Sequence, residues 1–192
     1  MRRVVAIVEG DGEVGAVPIL LRRLAERAGR HDIEVQPPIR VHRDKFLRQD
    51  QEFRRMLLLA QAKAQGGTVL ILLDADDDCP VTLAQEVHSK VVQWGISVRV
   101  LVVIANREYE AWFLAAAESL AGRRGLLREL SHPPGSEQIR NAKGWLSDRI
   151  SQGRYHEVAD QPALTAIFDM ELAAQRSRSF QKLMKDLSSV FS

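Results

Sequence analysis

Unbroken apolar runs alternate along this chain with longer segments of helical periodicity. Val4 to Val8 is the first run, rich in β-branched residues and closed by Glu9-Gly10, which predicts a strand buried on both faces of a parallel sheet. A helix is expected from about Val14 to Ala28, where Val17, Leu20, Leu21 and Leu24 form one stripe. Ile33 to Val41 reads as a second strand broken or bent by Pro37-Pro38, and Phe46 to Ala64 as one long helix stopped at Gly66-Gly67. Thr68 to Leu73 is the clearest buried strand and runs directly into Asp74-Ala75-Asp76-Asp77-Asp78. Pro80 opens a helix through about Trp94, Ser97 to Ile104 predicts a further strand, and Ala105-Asn106-Arg107-Glu108 opens a helix through about Leu120. Strands alternating with helices imply an α/β fold with a doubly wound, mostly parallel sheet. After Gly122 the pattern changes to helices without strands, divided by Pro133-Pro134-Gly135 and Pro162. The expected organisation is an α/β core over residues 1–121 and a helical extension over residues 122–192 packed on it as one domain.

Composition narrows the class without naming a function. The chain has 192 residues, 45% hydrophobic and 27% charged, enough for one substantial core. A formal charge of +2 decides little by itself, although most bases are Arg, which suits bidentate phosphate contacts. Cys79 is the only cysteine, which excludes an internal disulfide and a cysteine-rich zinc site and favours a reducing compartment. The first apolar run stops at Glu9, too soon for the apolar region of a signal peptide, and no run is long enough to span a bilayer. A cytoplasmic location with no membrane association is expected.

The acids are where the chemistry gathers. In open parallel sheets ligands bind beyond the carboxyl ends of the strands. There the chain places Glu9, Asp11 and Glu13 after the first strand, Asp74, Asp76, Asp77 and Asp78 after the third, and Glu108 and Glu110 after the fourth. Crowded carboxylates repel and their pKa values rise unless a cation neutralises them. Acids also favour helix N-termini, which accounts for one or two per loop but not for three successive loops. Hard oxygen donors without a His or Cys pattern point to Mg²⁺ or Mn²⁺. Glu108 is the expected ligand of its pair, and Glu110 is expected to pair with an arginine.

Two motifs imitate other sites. Gly10-Asp11-Gly12-Glu13-Val14-Gly15 satisfies G-x-G-x-x-G, but its acids would repel a pyrophosphate and the second strand ends in Val41-His42-Arg43 rather than an acid for a ribose. Asp74, Asp76 and Asp78 begin like an EF-hand loop, but Cys79 stands where Gly is needed and Gln85 where a bidentate Glu is needed. Trp94, Trp112, Phe113 and Trp145 read as core, and the histidines show no ligand spacing. Lys143, Arg149, Arg154, Arg176, Arg178, Lys182 and Lys185 make the helical extension basic, and Ser177 and Ser179 suit a helix cap before Phe180.

Glu9-Gly10 after the first strand and Asp74-Ala75-Asp76 after a later one, one β-α-β-α-β passage apart, resemble the TOPRIM-type domain of topoisomerases, bacterial primases and OLD-family nucleases. The ordered set of Val8-Glu9-Gly10 with Glu13, Asp74-Ala75-Asp76, Arg107-Glu108-Tyr109-Glu110-Ala111-Trp112-Phe113, Asp160-Gln161-Pro162-Ala163-Leu164 and Arg178-Ser179-Phe180 more closely resembles the TOPRIM-like DUF4276 family. Gly12 departs from it, since Thr is usual before Glu13. The resemblance implies a Mg²⁺- or Mn²⁺-dependent nuclease cleaving phosphodiesters in nucleic acid, DNA ahead of RNA. Glu9 would act in proton transfer and as a ligand, Asp74 and Asp76 would hold the metal, and Glu13 would serve a second metal. Asp78 and Glu108 complete the expected metal set, with Arg107 and Arg178 as substrate contacts. By fold-level analogy the role is a phage-defence effector with an ATPase partner, and a homodimer is allowed. The alternative is a non-catalytic subunit that docks an ATPase through the helical extension.

Overall fold

The computed structural model describes residues 2–191. Five strands form one sheet: β1 (Arg2–Val8), β2 (Ile33–Val35), β3 (Ile39–Arg40), β4 (Thr68–Asp74) and β5 (Arg99–Ala105). The order is β2-β1-β4-β5, β3 also pairs with β1, and every pairing is parallel. Alternate residues of each strand feed two cores, as the period of two requires. Val4, Ala6 and Val8 face α1 (Asp11–Arg27), whereas Val5 and Ile7 face α3 (Asp50–Ala64). α2 (Arg43–Arg48) and α4 (Pro80–Gln93) join the α3 layer. The sheet is therefore doubly wound.

The extension adds α6 (Ala142–Ser147), α7 (Glu157–Thr165), α8 (Met170–Arg176) and α9 (Arg178–Phe191) to the α1 layer, with one antiparallel bridge between Leu126 and Ile150. α7 packs along α1, and α9 lies against β5. The segment from Ile33 to Val41 is broken into two strands, because Pro37 and Pro38 have no N–H for the ladder, and each half pairs with a different part of β1. Two elements differ from the pattern in the sequence. The helix over Phe46 to Ala64 breaks at extended Gln49, and Phe46 and Phe53 from its two parts stack at 4.6 Å in the core. The helix after β5 shrinks to α5 (Ala111–Ala115) and a 3₁₀ turn over Ala117–Leu120. Arg107 has φ +68°, which no helix accommodates, and the peptides around it turn back to β4 through Asp76 N to Arg107 O at 3.0 Å.

Trp112 and Phe113 are fully buried, with Trp112 Nε1 donating to Ser179 Oγ at 2.8 Å. Trp94 and Trp145 only half enter the interior, each with an arginine over its ring, Arg54 and Arg149. Ser177 Oγ accepts from Phe180 N at 3.0 Å, the cap that opens α9.

Candidate metal centre

From β1 the chain moves outward to β2, then returns across β1 to β4, so the carboxyl ends of β1 and β4 form the topological switch point. Glu9 follows β1 and Asp74 ends β4. The two are directly adjacent: Asp74 N donates to Glu9 Oε1 at 3.1 Å. Glu13 joins them from the first turn of α1, where its Oε2 accepts from Gly10 N at 2.8 Å and Glu9 N at 3.0 Å. Asp74 Oδ1 in turn accepts from Tyr109 N at 2.9 Å. Each acid is thus oriented by backbone N–H groups on one oxygen. Glu9 Oε2 lies 4.0 Å from Arg43 Nε.

One carboxylate oxygen from each of Glu9, Glu13 and Asp74 lies within 4.8 Å of the others. Burial, with mutual repulsion added, pushes Glu9 and Glu13 up to about 7 from an ordinary 4.5 and raises Asp74 well above its usual range. A cation among these oxygens would remove both costs. The donor set fits a hard divalent ion, since all three donors are carboxylates.

The acids open into a cleft of about 490 Å³ whose walls include Asp76, Glu108, His42, Arg43, Lys143 and Glu157. Asp76 sits exposed at the rim with φ +51°, and its carboxylate is 3.8 Å from Arg43 Nη1. Glu108 is half-buried and accepts from Lys143 N at 3.3 Å; burial raises its pKa. Asp78 turns out of the cleft to pair with Arg43. Arg107 ties down the loop after β4, donating to Asp76 O at 2.7 Å and pairing with Asp77. Arg178 lies at the start of α9, outside the cleft walls. Glu110 pairs with no arginine: it is fully buried, with its Oε1 taking Tyr155 Oη at 2.9 Å and Gln161 Nε2 at 3.2 Å, and burial lifts it to about 7.

Arg43, Lys143 and Glu157 are among the cleft residues that the acid pattern did not reveal. Arg43 follows the end of β3, so the strand-end rule extends to it. It donates to Asp74 O at 3.2 Å and Ala75 O at 3.3 Å, bracing the end of β4. Lys143 Nζ sits 3.0 Å from Glu157 Oε2, and both come from the extension with no local signal. Arg43 enters from the α3 layer and Lys143 from the α1 layer, so cations flank the acids from both faces of the sheet.

The G-x-G-x-x-G glycines make room for α7. A Cβ on Gly10 would meet Glu157 Oε1 at 2.6 Å, on Gly12 Gln161 Oε1 at 2.2 Å, and on Gly15 Pro162 Cγ at 2.8 Å. The model of the family described as a domain of unknown function, DUF4276, matches residues 8–188. The chain belongs to this family. Nothing among curated proteins or solved structures matches it. In this DUF4276 domain the matched range takes in every residue of the cleft, from Glu9 to Glu157. Among the described residues no helix is long and apolar enough to cross a membrane.

Proposed function

We propose that this DUF4276 domain is a Mg²⁺- or Mn²⁺-dependent, TOPRIM-like nuclease that cleaves phosphodiester bonds in nucleic acid. The convergence of Glu9, Glu13 and Asp74 at the switch point carries the reading, because two buried carboxylates and a third half-buried one sharing one pocket call for a cation. Glu9, Glu13 and Asp74 would hold the ion, with Asp76 and Glu108 in reach of the same cleft. When bound, such an ion polarises a phosphoryl oxygen and brings a water toward ionisation near neutral pH.

The chain's own side chains supply the rest. Arg43 and Lys143 offer positive charge to phosphate oxygens on either side of the acids. Glu9 keeps an oxygen free of hydrogen bonds beside the cleft, from which it can give or take a proton. DNA is the expected substrate ahead of RNA, the cytoplasm the expected location, and phage defence beside an ATPase the expected role.

The test is incubation of purified protein with DNA and with RNA in Mn²⁺, alongside Glu9→Gln and Asp74→Asn. Cleavage that both substitutions reduce by about a hundredfold or more supports the proposal. No cleavage, or cleavage that neither substitution touches, overturns it.

A further inference from the structure

β5 is the last strand of the sheet, and its outer edge is open. Ala75 N donates to Ala105 O at 2.9 Å, so Ala105 turns its peptide groups toward β4, as do Val103 and Leu101 at alternate positions. Val100, Val102 and Ile104 therefore turn their N–H and C=O groups outward. None of these groups has a partner in a hydrogen bond outside the sheet among the described residues. The edge carries no proline, no bulge and no inward charge, the devices that protect strand edges. It forms instead the floor of a largely apolar groove of about 780 Å³ between α4 and α9.

Charge on the groove wall selects the occupant. Arg178, Lys182 and Asp186 line it from successive turns of α9. Arg99, at the start of β5, bonds Ser189 near the end of α9, so α9 runs antiparallel to β5 with Lys182 near the level of Val102. A twofold axis through Val102, perpendicular to the sheet, would set β5 antiparallel to a second β5 and α9 antiparallel to a second α9. Val100 then faces Ile104 of the other copy and Val102 faces Val102, which pairs every outward peptide group. The same operation brings Arg178 of each copy opposite Asp186 of the other. Arg178 has no ion pair among the described residues, and Asp186, which pairs with Lys182 on its own helix, would then stand between two bases. On α4, Val81, 65% exposed and in the groove wall, gains cover.

We infer that this edge is the dimer interface of the protein, and that its occupant is a second copy of the same chain, joined through β5 into one continuous sheet. The inference stands apart from the metal centre and does not depend on it.

Light scattering and sedimentation from micromolar to millimolar concentration, with amide hydrogen exchange on β5, test it. The expected result is a mass of twice 21.6 kDa and slow exchange at Val100, Val102 and Ile104 that speeds on dilution. Arg178→Glu should weaken the dimer by about tenfold, and Arg178→Glu with Asp186→Arg should restore it. A monomer at every concentration overturns the inference, which would leave the edge to a strand of another protein. A dimer whose edge amides exchange fast, or whose strength ignores the charge reversal, overturns it equally.

Discussion

Three carboxyls with raised pKa values make the stability of the metal-free protein depend on pH in an unusual direction. In the folded chain Glu9 and Glu13 keep protons up to about 7, whereas unfolded they release them near 4.5. Between those values the folded state binds more protons than the unfolded state, so stability falls as pH rises and levels off above about 7. Taking one such group, a displacement from 4.5 to about 7 corresponds to about 3 kcal/mol, and Glu110, lifted to the same value by burial, adds to the same slope. Over a chain of 192 residues that is roughly 6–12 °C in Tm. Thermal melts in EDTA at constant ionic strength, from about pH 5 to about pH 8, avoid the titration of ordinary surface carboxylates. Glu13→Gln keeps an oxygen for Gly10 N and Glu9 N while deleting the charge, so it should lessen the slope, leaving the share of Glu9, Asp74 and Glu110, and raise Tm at the upper end. Mn²⁺ should raise the wild-type Tm at pH 8 and do little at pH 5, where protons hold the site. A metal-free Tm that is flat or climbs across this range, or a Glu13→Gln variant with the wild-type slope, refutes the reasoning.

Other outcomes follow from single contacts. Gly12→Thr should destabilise the fold by about 1–3 kcal/mol in urea titrations, because the added Cβ meets α7 side chain and backbone. Tyr155→Phe strips Glu110 Oε1 of its shorter hydrogen bond and should cost about 1–3 kcal/mol in the same assay. Lys143→Gln should weaken DNA binding across sequences and lower the slope of log affinity against log salt by about one, read by fluorescence anisotropy. Calorimetric titration of Mn²⁺ should give binding to wild type that Asp74→Asn abolishes; equal heats from both would remove Asp74 from the site.

Strands β1, β4 and β5 were legible because each is a β-branched or Leu-rich run that only a two-faced sheet can bury. The same logic put Glu9 and Asp74 at strand ends, and their 3.1 Å contact follows from β1 and β4 being neighbours. Glu110 was misread because its donors, Tyr155 and Gln161, lie over forty positions away and no spacing rule reaches them. Lys143 and Glu157 escaped for the same reason. The break at Gln49 carries no Gly or Pro and leaves the apolar period intact, so only the stacking of Phe46 on Phe53 accounts for it. Arg178 was placed near substrate by motif order, which says nothing of where the start of α9 lies relative to the cleft.

The glycine seam between α1 and α7 also sets a clock. Glu9 and Glu13 leave the ribosome well before the helix that seats against their loop, which begins at Glu157. At ordinary rates of synthesis roughly ten seconds separate the two. A chain made only as far as β5 therefore holds its acids without the clamp that fixes them, and the centre is assembled only after α7 has followed.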